Sequence, residues 1–316
     1  MILLRGELEA MGAAIHFRTA LKSIAKDEDG YILSTNEGDI HSKYVVLALG
    51  HSARDSFTML HEKGVAMEQK PFAVGFRIEE PQAAIDKSQF GDMCRFLPAA
   101  DYSMTAKVEE KGVYTFCMCP GGKVVAAASE AGGVVTNGMS YKARDGENAN
   151  AAVLVTVDHT TYGEGVLAGV EFQREIERKV FAMTNSYKAP IESVSSYLYG
   201  KESASVAPTY KPGTFEADLH EIYPEALDRA LTEGLKDMGC RFPALIEKAL
   251  LTAPETRSSS PVRITRDSKT LESISHENLY PAGEGAGYAG GIVSSAMDGM
   301  RVAEKIIEKE KDHVRN

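Results

Sequence analysis

A glycine-rich turn near the end of the sequence carries its clearest chemical signal. Residues 279–292 read LYPAGEGAGYAGGI, in which a short apolar segment leads through five glycines into a helical pattern. Glycine lets a ligand approach the backbone closely, and the N–H groups at a helix N terminus favour negative charge. Glu284 adds a carboxylate that can accept hydrogen bonds from sugar-type hydroxyl groups. We therefore predict a site for an anionic, hydroxyl-bearing ligand, although tight packing of the strand against the helix also explains the glycines.

Three of these glycines, Gly285, Gly287 and Gly290, have the GxGxxG spacing of a dinucleotide-binding turn. In a Rossmann domain the first turn precedes a second strand, with an acidic residue about 20 positions further on that binds a ribose. Here only a helical pattern and a short tail follow. We therefore do not interpret this turn as the first turn of a Rossmann domain.

Two cysteines form the main nucleophilic pattern. Cys117 and Cys119 lie two residues apart in the strand-like segment GVYTFCMCPGG. Alternate residues of a strand face the same side, so both thiols could line one pocket. The spacing is not the CxxC of thioredoxin-like sites, and no nearby His or Cys pair completes a metal site. We favour a packing role for both, keep them as the candidate catalytic residues, and predict no metal site.

A polar loop, ETRSSSPVRITRD, follows Pro254. Its guanidinium and hydroxyl groups could bind a carboxylate or phosphate of a substrate, and the residues that we assign to this role are Arg257, Ser259 and Arg263. A solvated loop is the alternative explanation.

A second glycine pattern, GEGVLAG at residues 163–169, has the GxGxxxG spacing that would suit a nicotinamide dinucleotide. The preceding strand pattern ends near Asp158, and HTTY intervenes before the first glycine. The tight strand-to-turn geometry of a dinucleotide site is thereby lost, so an enzyme using a free nicotinamide dinucleotide alone is only our third hypothesis.

The strands and helices that the sequence predicts around these residues are typical of an α/β protein. Residues 1–70 and 257–316 read as pieces of a parallel sheet with helices and form one domain, into which residues 71–256 are inserted as an α+β domain. In the first piece, YVVLAL at residues 44–49 is typical of a buried strand. The other predicted strands are Ala14–Phe17, Leu21–Ile24, Tyr31–Thr35, FAVGFRI, GVYTFCMCPGG, KVVAAAS and AAVLVTVD, and the predicted helices are Ile2–Met11, Phe57–Lys63, Val170–Met183, Pro224–Met238, Pro243–Leu251 and Ile292–Glu310.

Composition narrows the classes of partner. The sequence is 43% hydrophobic and 25% charged with a net charge of −10, which favours a globular protein and argues against nucleic acid. Neither a signal peptide nor a transmembrane stretch is visible, and four cysteines are too few for a disulfide scaffold. We expect a cytoplasmic protein that acts on a small molecule, without membrane contact.

Several motifs in the same order resemble one family. LALGHSARD, TFCMCPGG, FQREIE, ETRSSSPVRITRD and PAGEGAGYAGGIVSSAMDGMRVAE together resemble the poorly characterised FAD-dependent dehydrogenases among the glutathione-reductase-like flavoproteins. The resemblance covers nearly the whole chain. It implies an FAD-dependent oxidoreductase, with NAD(P)H as a plausible electron donor that no motif encodes.

The resemblance also implies roles for particular residues. The LALG run that ends at Leu49 and Gly50 corresponds to a strand beside FAD, and His51 lies in the loop after it as a further cofactor contact. The acid of Gly283–Glu284 would hold a hydroxyl of the ribityl chain. The helix opened by Gly290, Gly291 and Ile292 would face the pyrophosphate and the pyrimidine edge of the flavin.

The sequence departs from the family pattern at its front. The family's first strand, its GxGxxG turn and its ribose-binding acid should precede the helix at Ile2, and the sequence contains none of them. We therefore expect a truncated Rossmann-like FAD-binding domain in which FAD is absent or weakly bound. The exposed sheet could be covered by a second copy of the chain in a homodimer. The alternative function is a non-catalytic remnant of a flavoprotein that no longer binds FAD.

Overall fold

The computed structural model describes residues 2–201 and 205–315, which form two compact units. The terminal unit combines Met1–Met67 with Ile264–Asn316, and the central unit is Glu68–Arg263. Both helices and sheets occur in each unit, so the chain has a mixed α/β fold.

The terminal unit contains two small sheets. Leu21–Lys26, Tyr31–Thr35 and Gly38–Ser42 form an antiparallel meander, and Val45–Leu47 pairs in parallel with Leu279–Pro281. Parallel pairing of strands that are far apart in sequence brings their carboxyl ends to one edge. The helices of this unit are Ile2–Ala10, Arg54–Glu62 and Ile292–Arg315.

The helices of the terminal unit differ in how they bury their apolar residues. Phe57 and Leu60 of the helix Arg54–Glu62 are fully buried. By contrast, Leu3 on the first helix is 84% exposed, and Ile292 at the start of the last helix is 91% exposed. The exposed large apolar residues of these two helices are Leu3, Leu4, Leu8, Ile292, Val293, Met297, Met300 and Ile307.

One strand prediction for the terminal unit is wrong, and another is correct only in part. Residues 14–17 form no strand, because this short alternation has no strand partner and Phe17 is exposed. Residues 44–49 form a strand only over Val45–Leu47, and Val46 is 45% exposed, so this strand is not buried on both faces.

A seven-stranded mixed sheet is the centre of the central unit. Its two longest strands, Phe72–Pro81 and Asn148–Val157, pair antiparallel over their whole length and are almost entirely buried. Their continuous apolar character suits strands that are covered on both faces. The spatial order of the strands is Thr214–Glu216, Ala189–Ser193, Leu250–Glu255, Phe72–Pro81, Asn148–Val157, Lys111–Cys119 and Thr105–Val108.

Helices and a second small sheet cover this central sheet. Glu225–Arg241 buries Leu227, Leu231, Leu235 and Met238 on one face, and it confirms the helix predicted over Pro224–Met238. The remaining strands are Gly122–Ala126, which pairs antiparallel with Thr136–Ser140, and the short Met67–Gln69 and Val262–Ile264. The remaining helices are Gln82–Phe90, His159–Tyr162, Ala168–Thr184, Val194–Tyr199 and the 3-10 segments Gly91–Phe96, Leu219–Glu221 and Pro243–Leu245.

The helix predicted over Pro243–Leu251 is wrong. A 3-10 turn covers Pro243–Leu245, and Leu250–Glu255 is a strand of the central sheet. A short apolar run is compatible with a helix or a strand. Residues 250–255 form a strand because they pair with Phe72–Pro81, which is distant in the sequence.

Across residues 2–201 and 205–315, no helix is both long enough and apolar enough to cross a membrane.

Candidate functional site

In the terminal unit, two of the predicted cofactor segments meet at one sheet edge. Val45–Leu47 and Leu279–Pro281 are parallel, and the Ala282 N–H donates a 3.0 Å hydrogen bond to the Leu47 carbonyl beyond the last strand pair. The loops that leave these strands therefore start side by side. The half-buried Leu49 lies in the first of these loops.

Two glycines allow the loops to touch. A Cβ atom on Gly285 would lie 2.4 Å from the carbonyl oxygen of Gly50 and 2.6 Å from its nitrogen. Real Cβ atoms do not approach backbone so closely, so only glycine fits at 285. Gly50 itself has a φ of +70°, in the region that favours glycine. The glycine at 285 is thus explained by packing of one loop on the other, which the sequence left as an alternative to ligand contact.

His51 and Glu284 join the two loops through their side chains. Nδ1 of His51 lies 2.6 Å from Oε1 of Glu284, and the side chains are 22% and 23% exposed. This contact leaves the second carboxylate oxygen of Glu284 available for another donor. Because both side chains are partly open to solvent, the pair can position a carboxylate for a hydroxyl-bearing ligand.

A buried ion pair fixes the turn that carries Glu284. Asp298 on the last helix accepts a 2.8 Å hydrogen bond from the Gly283 N–H. It also accepts hydrogen bonds from both terminal nitrogens of Arg266, at 2.7 and 3.0 Å. Burial raises the pKa of Asp298, but the hydrogen bonds from Arg266 and Gly283 outweigh it and hold the pKa below its ordinary value.

Arg266 is itself held on two other sides. It donates to the Pro281 carbonyl at 2.7 Å, and its guanidinium carbon lies 3.8 Å from the centre of the Tyr288 ring. Sequence reasoning did not select Asp298 or Arg266. Asp298 lies on the buried face of the last helix, four residues before the buried Val302, and no local pattern marked it.

The last helix begins in open space. A Cβ atom on either Gly290 or Gly291 would meet no atom within 4 Å, and Ile292 is 91% exposed. The first N–H groups of a helix have no partner within the helix, so they can meet a negative charge. The open glycines would let a ligand reach this backbone.

In the central unit, Cys117 lies at a β-bulge. Asn150 is opposite Cys119 and Ala152 is opposite Phe116, so two residues of one strand face a single residue of its neighbour. Cys117 has a φ of +46°, a backbone conformation that costs a non-glycine residue roughly 1–3 kcal/mol. The bulge exposes Cys117 and buries Cys119, which strict alternation of the strand did not predict.

Arg77 lies beneath the two cysteines and is fully buried. One terminal nitrogen donates to the Cys117 carbonyl at 2.8 Å and lies 3.4 Å from the sulfur of Cys119, while the other contacts Glu255 at 3.1 Å. The Nε atom donates to Asn150 Oδ1 at 2.8 Å. Four partners thus hold a positive charge directly under the bulge.

The cysteines and Glu255 have shifted pKa values. A hydrogen bond from the Cys119 thiol, with help from Arg77, outweighs burial and lowers the pKa of Cys117 to about 6. The same hydrogen bond and burial raise the pKa of Cys119. Burial raises the pKa of Glu255 to about 7, although Arg77 opposes the shift.

The residues of the predicted substrate loop lie in different surroundings. Arg257 is buried and paired with the buried Glu177 at 2.8 Å, so its guanidinium stabilises the interior of the central unit. Ser259 is half-buried. Arg263 is partly exposed and pairs with Glu68 at 3.1 Å.

The second glycine pattern does not follow its strand directly. The short helix His159–Tyr162 separates the strand Asn148–Val157 from Gly163. The carbonyls of Gly163 and Gly165 both accept hydrogen bonds from the Gln69 side chain, at 2.8 and 2.7 Å. The turn is therefore tied to its own unit through its backbone.

In the described part of the chain, no group of three or more His, Cys, Asp or Glu side chains is arranged to hold a metal ion.

Comparison with known proteins identifies one family. A family model described as "FAD-dependent protein, C-terminal domain-like" matches residues 71–258. An uncharacterized protein from Clostridium beijerinckii is 44% identical over 317 residues, covering 97% of this chain and 59% of that protein. The chain thus spans about three fifths of the length of this relative.

Proposed function

The chain belongs to the family of FAD-dependent proteins that share this C-terminal domain, and we propose that it acts in an FAD-dependent oxidoreductase. The observation that carries the proposal is the meeting of Gly50–His51 with Gly283–Gly285 at the carboxyl ends of two parallel strands. Ligands of open α/β sheets bind at such edges.

The donor set at this edge fits part of FAD. Glu284 offers a carboxylate oxygen to a sugar-alcohol hydroxyl, and His51 fixes the direction of that carboxylate. The N terminus of the last helix, with the open Gly290 and Gly291, suits a pyrophosphate or the polar edge of a flavin ring. We accordingly propose that the parallel strand pair belongs to a Rossmann-like sheet.

Each protein group has a defined task in this proposal. Asp298 and Arg266 hold the Gly283 amide and so position Glu284, while the contact between Gly285 and Gly50 keeps the two loops together. Bound FAD would supply the two-electron oxidation or reduction of a substrate. We propose a dehydrogenase reaction in which NAD(P)H would be the electron donor and a small-molecule substrate would be the electron acceptor.

The central unit offers room for a small molecule. One of its cavities has a volume of about 520 Å³. The polar and charged residues of its lining are Lys123, Glu147, Asn148, Thr209 and Lys211. The two lysines outnumber the one glutamate, so we infer that a small molecule with an acidic group is the class to try first.

A titration of the chain with FAD tests the cofactor assignment. The chain presents one carboxylate and one open helix N terminus to the cofactor, so we expect reversible binding rather than purification with one flavin per chain. Replacing Glu284 with Gln should weaken binding about 10- to 100-fold, since a hydrogen bond to a charged group contributes roughly 1.5–3 kcal/mol. Isothermal titration calorimetry gives both affinities.

Glu277 provides the matched control, because it is an exposed carboxylate of the same unit that is paired only loosely, with Lys26 at 3.7 Å and with Lys309 at 3.5 Å. Glu277→Gln should bind FAD like the unchanged chain. Equal affinities for Glu284→Gln and the unchanged chain would contradict the role of Glu284. If FAD does not bind at all, the result would favour the alternative, a non-catalytic relative of a flavoprotein.

A further inference from the structure

The two cysteines of the central unit form a site that the flavin does not explain. Cys117 is exposed and Cys119 is buried directly behind it. The Cys119 thiol donates a 3.3 Å hydrogen bond to the Cys117 carbonyl, and its interaction with the Cys117 thiol is the main cause that lowers the pKa of Cys117. An accessible thiol with a second, buried thiol beside it is the arrangement of an attacking and a resolving thiol.

The spacing of the two cysteines is compatible with a bond between their sulfurs. In a regular strand, residues i and i+2 lie roughly 6.6 Å apart, within the 4.4–6.8 Å range found for disulfides. The bulge and the positive φ of Cys117 re-aim its side chain relative to the regular alternation of the strand. An unfavourable backbone conformation at a non-glycine residue is typical of functional positions.

The charged groups around the pair favour a thiolate at Cys117. The buried Arg77 reaches the pair from the strand Phe72–Pro81, which lies on the other side of Asn148–Val157 in the sheet. Glu255 opposes the negative charge but is paired with Arg77, and its own pKa is about 7. The pKa of Cys117 falls to about 6, so the thiolate prevails at neutral pH.

We propose that Cys117 and Cys119 form a dithiol/disulfide redox site that reacts with small disulfides, with Cys117 as the attacking and Cys119 as the resolving thiol. The Cys117 thiolate attacks one sulfur of R–S–S–R, forms a mixed disulfide and releases RS⁻. The sulfur of Cys119 then attacks Cys117, its proton passes to the released thiolate, and a second RS⁻ leaves. Two electrons pass from the pair to the small disulfide.

The protein supplies its own reference for thiol reactivity, because Cys240 is exposed and has no such partners among the described residues. Alkylation with iodoacetamide is followed for each cysteine by mass spectrometry from pH 5 to 9. We expect the Cys117 rate to rise with a midpoint near pH 6 and then level off, whereas the Cys240 rate continues to rise. Replacing Cys119 with Ala should move the Cys117 midpoint to higher pH. Identical profiles for Cys117 and Cys240 would overturn the proposal.

Oxidised glutathione tests the second step without flavin. Cys117 and Cys119 lie in one tryptic peptide, residues 112–123, so a disulfide between them appears as the loss of two hydrogens from that peptide. The unchanged chain should form this disulfide, and Cys119→Ser should instead retain glutathione on Cys117. The control Cys94→Ser/Cys240→Ser should behave like the unchanged chain. A stable glutathione adduct on the unchanged chain, or no reaction at Cys117, would refute a resolving role for Cys119.

Discussion

Asp298 should control the order of the turn that carries Glu284. Its side chain and that of Arg266 are 7% and 8% exposed, and three hydrogen bonds of 2.7 to 3.0 Å converge on its carboxylate. Asp298→Asn keeps the shape but places an amide nitrogen against groups that all donate. Breaking a buried ion pair on one side costs about 3–5 kcal/mol, because the remaining charge stays buried.

Hydrogen exchange at the turn measures this cost. The Gly283 amide donates to Asp298, so its opening free energy should fall by about 3–5 kcal/mol. Since 1.4 kcal/mol corresponds to a factor of ten, exchange of the segment 279–288 should accelerate by about two to three and a half orders of magnitude.

The control is the same substitution in an exposed pair. Asp237 contacts Arg241 at 2.7 Å, but the side chains are 56% and 47% exposed. Exposed ion pairs within a helix contribute about 0.3–0.5 kcal/mol. Asp237→Asn should therefore change the hydrogen-exchange rate of its own helix, Glu225–Arg241, by about twofold or less. An acceleration of less than about tenfold for Asp298→Asn would refute the argument that this carboxylate orders the turn.

Two further predictions concern packing and pH. Gly285→Ala should lower the unfolding free energy by about 1–3 kcal/mol, because its Cβ would overlap the Gly50 backbone, whereas Gly290→Ala, with open space around it, should change little; equal melting temperatures for the two variants would contradict this. Glu255 has its folded-state pKa raised to about 7 from 4.5, so its contribution to stability is present below pH 4.5 and is lost as the pH rises through 7. The difference in unfolding free energy between the unchanged chain and Glu255→Gln should therefore fall over this range, and a pH-independent difference would show that Glu255 does not titrate there.

Local sequence patterns determined the elements whose spacing is unambiguous. The helix Glu225–Arg241 follows from leucines on one face, and the strand Asn148–Val157 follows from its apolar run. The same kind of pattern failed at residues 243–251, where the apolar residues suit either a helix or a strand. Pairing of Leu251 with Ile78, far away in the chain, makes that choice.

Some residues of the candidate site were predictable from local sequence patterns, and others were not. The sequence alone pointed to Gly50, Gly283 and Glu284, because glycines and an acid at strand ends are a local pattern that also resembles a family. Partners that lie far away in the sequence were not predictable, since no spacing rule links Arg266 to Asp298 or Arg77 to Glu255.

Cys117 shows most clearly what only the tertiary structure decides. The sequence supplied two thiols two residues apart, and regular alternation would have placed them on the same side of a strand. The bulge against the neighbouring strand exposes one thiol and buries the other beside Arg77. The sequence thus determined that two thiols are present. Pairing between distant strands determined which of them becomes a thiolate, because burial and a fixed neighbouring cation set the pKa of a thiol.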